Sequence, residues 1–268
     1  MGKVPPFREG QDRPNMQRYF IKLSYNGTAY HGWQIQENTF QTVQQVLNEM
    51  LSRLLNESVF VTGCGRTDAG VHAAEYYAHF DSTIDDLEIN QDKWIFKFNF
   101  ALPADIAIQK IITVKYNSNA RFDAVSRTYQ YIINRNKDPF QINKACFLYG
   151  NLNIDDMNAA TKVLFDFIDF SAFAKTNTQN LTNNCNIYKA EWKEENGLLI
   201  FTISANRFLR NMVRAIVGTL LNVGKGKLSI EQFRGIIESK TRSKAGFSAH
   251  ACGLYLTNVE YPQNYFHV

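Results

Sequence analysis

Apolar and polar positions first alternate in RYFIKLSYNG, where Tyr19, Ile21, Leu23 and Tyr25 fall on one face and Lys22 and Ser24 on the other. That period of two predicts a strand, and Asn26-Gly27 predicts the turn that ends it. From 42 to 55 the period lengthens. Val43, Val46, Leu47, Met50, Leu51 and Leu54 recur at helical spacing, and Thr42 with Gln45 three residues on has the form of a capping box. SVFVTG and the stretch around Ala73 to Phe80 read as strands flanking a polar loop, GRTDAGVH. Residues 94–103 are apolar enough to pack, and IITVKY at 111–116 returns as a strand.

The second half has the same outline. RTYQYIIN at 127–134 predicts a strand with Tyr129, Tyr131 and Ile133 on one face, and a helix is expected over about 156–165 after Asp155. IYKAEW and LLIFTISA read as strands joined through Asn196-Gly197, a strong hairpin signal. FLRNMVRAIVGTLLNV predicts a helix opened by Asn206, and Ser229 with Gln232 opens another carrying Phe233, Ile236 and Ile237. Strands that can be covered on one face by helices predict an α+β fold, and the shared order points to a duplicated unit with a site in the cleft between the copies. Residues 1–17, holding Pro5, Pro6 and Pro14 without periodicity, predict a flexible tail. The expected subdomains are 18–120 and 121–268.

A chain of 268 residues can bury a large core without a metal or disulfide staple. Cys64, Cys146, Cys185 and Cys252 form no CxxC pair, which predicts free thiols in a reducing compartment. The N-terminus lacks the apolar run of a signal peptide, and no stretch approaches a membrane span, so a soluble, cytoplasmic protein is expected. The formal charge of +4 is unevenly placed: the first 120 residues carry 11 basic and 13 acidic side chains, the remainder 18 and 12. Between 207 and 244 nine basic residues face only Glu231 and Glu238, a local excess that suits either a polyanion or a solvated face.

Two features concentrate possible chemistry. The loop GCGRTDAGVH sets three glycines around Arg66 and Asp68. Glycine permits close backbone approach and so fixes where those side chains point, although a plain Asx turn at Asp68 would use part of the same pattern. On the predicted helix after Asn206, Arg207, Arg210 and Arg214 follow at spacings of three and four beside the stripe Leu209, Met212, Val213, Ile216, Val217 and Leu220. Like charges in a row repel; an anion opposite them, or snorkelling to water, resolves the conflict. Arg214 borders the buried stripe and needs a carboxylate partner, for which Asp68 is suited. Tyr129, in a strand opening the basic half, could stack on a base or simply pack. FDFIDFSAF reads as packing material with Asp169 as a candidate cap. The five histidines form no metal-ligand cluster, and Rossmann, Walker and nucleophile-elbow motifs are absent, so nothing calls for a metal or nucleotide cofactor.

Taken together, RYFIKLSYNGTAYHGWQIQ, VQQVLNEMLSRLL, GCGRTDAGVHA, SRTYQYII, DFSAF, NRFLRNMVRAIVGTLLNVGKG and GFSAHACGLYLTNVEYP resemble the bacterial tRNA pseudouridine synthase A family from Arg18 to Pro262. The resemblance implies two RNP-like halves forming a continuous mixed, mainly antiparallel sheet, with helices on one side and a central basic cleft. It implies a cofactor-free isomerase acting on uridines 38, 39 and 40 of the tRNA anticodon stem-loop, working as a homodimer in which one tRNA contacts both subunits. By motif, Asp68 is the catalytic aspartate, Tyr129 the tyrosine packing on the target base, and Arg214 the partner of the aspartate. Arg66, Arg207, Arg210, Lys225 and Lys227 are the expected RNA contacts. Arg210 and Asn211 stand where some relatives have histidines. The competing expectations are a non-catalytic RNA-binding module or chaperone of the same fold, and a glycosidase-like hydrolase. The hydrolase would ordinarily need a second carboxylate across the bond.

Overall fold

The computed structural model describes residues 16–37, 39, 41–176 and 181–266. Most of the expected tail lies outside the described residues, but Gln17 already opens the first strand. The first half runs β1 (Gln17–Tyr25), α1 (Val43–Leu55), β2 (Thr62–Gly63), β3 (His72–Ser82), α2 (Gln91–Ala101) and β4 (Ile106–Val114). The second runs β5 (Ser126–Asn134), β6 (Cys146–Phe147), α3 (Ile154–Lys162), β7 (Ile187–Glu195), β8 (Leu198–Ala205), α4 (Met212–Gly224), α5 (Ile230–Glu238) and β9 (Leu254–Glu260).

All strands join one mixed, mostly antiparallel sheet with the helices on one side, an α+β fold. Its main order is β4-β1-β3-β9-β5-β8-β7, with β2 on β3 and β6 on β5. Leaving β6 aside, the first half is strand-helix-strand-strand-helix-strand and the second repeats it with two helices, α4 and α5, before its last strand; in each the last strand lies beside the first, then the third, then the second. The halves meet where β3 and β9 run parallel, paired only at His72 with Tyr255 and Ala73 with Leu256. Separate apolar clusters lie on either side of that seam, one built almost wholly from residues 19–124 and the other mainly from 131–254.

Local chemistry explains where the elements begin and end. Thr42 accepts from the Gln45 amide at 3.3 Å, but the Gln45 side chain donates forward to Glu49, so the α1 box is half made. The Ser229–Gln232 box of α5 is complete. Asn196 and Gly197 both take positive φ (51° and 77°), as a two-residue hairpin with the right twist requires. Asn153, not Asp155, caps α3 by accepting from the Asp156 amide. Of SVFVTG only Thr62 and Gly63 are strand.

Three expectations are corrected. Phe20 is fully buried although alternation puts it on the polar face of β1; Tyr261, Tyr265 and Phe266 come back over that face, with ring centres 5.7–5.8 Å away. Residues 94–103 pack less than their apolarity implies, because α2 buries Phe98 and leaves Phe96 and Phe100, one turn apart, in solvent. The helix expected from Asn206 starts at Met212. Asn206 is tied to Asn186 through two bonds at the end of the β7–β8 hairpin, and Asn211 turns left-handed at φ 67°. Arg207 and Arg210 therefore precede the helix, and the predicted arginine stripe does not exist.

His79, buried beneath the stacked Phe20 ring, accepts the Ala120 amide on Nδ1. Burial, helped by Arg18, pushes its pKa down to about 4. The folded chain thus holds a neutral imidazole that the unfolded chain protonates near pH 6.5. Stability present at pH 7 should drain as pH falls from about 6.5 toward 4, by on the order of 3 kcal/mol in full. Urea titrations at pH 7 and pH 5 should show this slope in the wild type and a shallower one in His79→Gln.

Candidate active site

The loop from Gly63 to His72 is held from every side by short polar bonds. Its Cys64 amide donates to Tyr77 O at 2.8 Å and Tyr76 Oη to Gly65 O. Tyr25 Oη meets Thr67 Oγ1 at 2.9 Å. The segment after β1 forms the second wall: Trp33 N donates to Thr67 O, Gly70 N to Tyr30 O, and Gly27 N to His72 Nδ1. His72 Nε2 donates onward to Cys252 O at 3.2 Å, across the seam. Gly32 sits at φ 88°, and a Cβ there would lie 2.5 Å from Thr67 O; at Gly27 it would lie 1.9 Å from Val71 O. These two glycines let the chain press against the loop backbone.

The loop delivers Asp68 to the start of α4. Arg214 Nη1 donates to Asp68 Oδ2 at 3.3 Å, and its Nε to Ala249 O at 2.7 Å. Both side chains are about four-fifths shielded, 21% and 23% exposed. The expected pairing of Asp68 with Arg214 is thus present. Ala249 clasps Arg214 twice, since its own amide donates to Arg214 O at 2.9 Å. Arg210, more exposed, approaches the other oxygen, with Nε 3.7 Å from Asp68 Oδ1.

Tyr129 lies at the seam and packs against both apolar clusters. Its ring meets Phe208 edge-on at 5.2 Å. Burial holds its hydroxyl protonated well above the ordinary phenol range, with Cys64 and Asp68 adding to the shift and Arg127 opposing it. Cys64, fully buried, has its thiol pushed up to about 12 and is unreactive.

The remaining expected residues separate into two places. Arg66 is exposed on the loop and Arg207 half-buried just before α4. Lys225 and Lys227 are exposed beyond the other end of that helix, about 16 Å along its axis from Arg214. The basic excess over 207–244 is partly taken up by the protein's own groups at the surface: Arg234 pairs with Asp166, Lys240 with Asp169, and Arg242 donates to Gly246 O and Ser248 Oγ. Asp169 also accepts from the Ser171 amide and hydroxyl, an Asx turn. Among the described residues no cluster of His, Cys, Asp and Glu could hold a metal ion, and no helix is long and apolar enough to cross a membrane.

Arg127 was not foreseen. Its guanidinium donates to Ala124 O, Asn206 O, Cys64 O and Arg121 O. It thereby fastens the Asp68 loop, the turn before β5 and the turn before α4 to one another. Its place two residues before Tyr129 on β5 was the available signal, since positions i and i+2 share a face.

A family model described as tRNA pseudouridine synthase matches residues 168–262. The tRNA pseudouridine synthase A of Parabacteroides distasonis is 51% identical over 255 residues, covering 94% of this chain and 99% of its own. That of Bacteroides thetaiotaomicron is 49% identical over 94% of this chain and 93% of its own. The chain belongs to the tRNA pseudouridine synthase A family. Likeness to these members spans both halves, whereas the model match alone takes in Arg214 and not the Asp68 loop. The same protein name goes with a Neisseria gonorrhoeae relative that is 38% identical over 95% of this chain and 96% of its own.

The contact between Asp68 and Arg214 joins the two halves through partly buried charges, so the pair should be energetically coupled. Asp68→Asn combined with Arg214→Gln should destabilise the protein by less than the sum of the single changes, by about 1 kcal/mol. Strict additivity in a urea double-mutant cycle would separate them. Arg214→Lys should behave like Arg214→Ala, because one ammonium cannot serve Asp68 and Ala249 O with fixed geometry.

Proposed function

We propose that this chain converts uridine to pseudouridine in tRNA, at nucleotides 38, 39 and 40 of the anticodon stem-loop, with Asp68, Tyr129 and Arg214 as the reacting constellation. The observation that carries the reading is a carboxylate fixed at 3.3 Å to Arg214 in surroundings otherwise rich in arginine. A pure RNA binder gains nothing from an anion placed where phosphates must come. The close family relatives, named for this activity, support the same reading.

The chemistry follows from the residues. The N1–C1′ bond breaks, the uracil turns, C5 joins C1′, and the proton lost from C5 is balanced by one gained at N1. No electrons or water are consumed, so the reaction calls for no cofactor. The target nucleotide must first leave its stack, which costs a few kcal/mol. Arg214 holds the Asp68 carboxylate in place by a direct bond from Nη1. Asp68 then acts on the sugar or base, as nucleophile or as the base that takes a ribose proton. Tyr129, its hydroxyl protonated and its ring braced by Phe208, supplies a flat apolar floor that retains the detached uracil.

The shared strand-helix order of the two halves supports a description as RNP-like units around a basic cleft, with 18–120 and 121–268 as subdomains. Exposed Arg66, half-buried Arg207, and Arg210, Lys225 and Lys227 would contact RNA, the two lysines at a distance from the reacting base. A homodimer in which one tRNA touches both subunits, in the cytoplasm, completes the proposal; light scattering with and without tRNA tests the stoichiometry.

Tritium release from C5-labelled uridine in unmodified tRNA measures turnover directly. Asp68→Asn should abolish it while leaving tRNA affinity within a few-fold. Turnover above a tenth of the wild-type rate would remove Asp68 from the chemistry. With stacking worth about 1–3 kcal/mol, Tyr129→Phe should stay clearly more active than Tyr129→Ala. Reversing the charge of Lys225 and Lys227 should weaken binding and lower its salt dependence, yet leave saturated turnover close to wild type.

A further inference from the structure

Three segments that Arg127 ties together each carry another arginine within a residue or two of the bond. Arg127 holds Cys64 O, and Arg66 follows on that loop. It holds Arg121 O in the turn before β5, and Asn206 O next to Arg207. The Arg121 guanidinium is pushed below its usual range, first by partial desolvation and then by Arg66, Arg127 and Arg207, so Arg121 feels the charge of the other three. No ion pair to a carboxylate involves any of the four among the described residues. Asp68 is taken by Arg214 and Arg210, and Asp123 accepts from Tyr265 Oη and the Asn119 amide. The turn itself is rigid: Asn119 Oδ1 accepts the amides of both Arg121 and Phe122. The Phe122 ring, 77% exposed, lies 5.6 Å from the Arg121 guanidinium.

Gathering four guanidinium groups without a counter-charge is costly in the free protein and is relieved by an anion. We propose that Arg66, Arg121 and Arg207, arranged around Arg127, clamp one phosphodiester of the RNA beside the flipped uridine. The placement beside the uridine rests on the isomerase reading. Arg127 and Tyr129 are two residues apart on the same face of β5, about 7 Å, so the clamp and the floor for the base are neighbours. Arg127 spends its donors on carbonyls and contributes charge and position. Arg66, Arg121 and Arg207 have donors left for phosphate oxygens, which guanidinium forks suit. The clamp thus fixes the backbone from which the base is turned out, while Phe122 offers a ring face to an adjoining base.

The test couples one arginine to one phosphate. Stem-loop RNAs carrying a single methylphosphonate, moved one linkage at a time around the target uridine, are bound to the wild type and to Arg121→Ala. Alanine keeps the carbonyl that Arg127 holds and removes only an exposed side chain, and an unchanged melting temperature checks that the fold survives. In the wild type one linkage should cost about tenfold in affinity, the loss of a charged hydrogen bond. In Arg121→Ala that linkage should cost less than about twofold, with the other linkages unaffected and the salt slope lower by about one unit. Additive losses at every linkage, or an unchanged salt slope, would overturn the clamp. Wild-type tritium release is read separately: a coupled linkage without release would sink the isomerase reading and leave a phosphate site standing, whereas release without a coupled linkage would do the reverse.

Discussion

Asp68 and Arg214 come from halves with largely separate apolar clusters, joined by a two-residue parallel strand pairing and by C-terminal aromatics that return over β1. The site therefore depends on polar bonds that cross the seam. Arg127 is foremost among them, because a single guanidinium satisfies carbonyls from three segments at once. Hydrophobic burial can hold each half but is non-directional; it cannot set the Asp68 loop against α4 to within hydrogen-bond distance. His72, reaching from Gly27 N to Cys252 O, and Arg214, reaching from Ala249 O to Asp68, complete the cross-bracing.

This bracing also resolves an electrostatic conflict. A carboxylate among arginines would weaken any polyanion contact there, and arginines crowded together repel. The structure separates the two problems. Arg214, shielded and held at both ends, neutralises Asp68 locally, with Arg210 at the outer oxygen. The guanidinium groups without a carboxylate partner among the described residues belong to the segments that Arg127 ties together. On the ten-residue loop itself the two charges stand two residues apart, Arg66 exposed and Asp68 paired with Arg214.

Much of the fold could be read from periodicity because most strands and helices have one buried face. The helix from Val43, the Asn196-Gly197 hairpin and the box at Ser229 all formed as their local chemistry directs. Where the reading failed, a distant segment decided. Phe20 is buried only because the C-terminal aromatics return over it, and no window around residue 20 contains that fact. The start of α4 was misplaced because Asn206 belongs to the hairpin before it, leaving Asn211 to turn the chain. In the site, Asp68 and Arg214 were legible from a glycine-framed loop and an arginine beside a buried stripe. Arg121 and Arg127 were not, since their partners are main-chain carbonyls and one another, and carbonyls leave no mark in a sequence. Gly32 was likewise silent and Gly27 was legible only as a turn residue, because what they make room for is the distant backbone at Thr67 and Val71.

The last strand of the chain is not at an edge of the sheet. β9 is inserted between β3 and β5, and Ala249, whose carbonyl holds Arg214, lies just ahead of it. A nascent chain still tethered to the ribosome at that point has two strand edges open and an aspartate without its oriented partner. The first half is not independent of that segment either, since Phe20 on β1 takes its cover from Tyr261, Tyr265 and Phe266 just beyond β9.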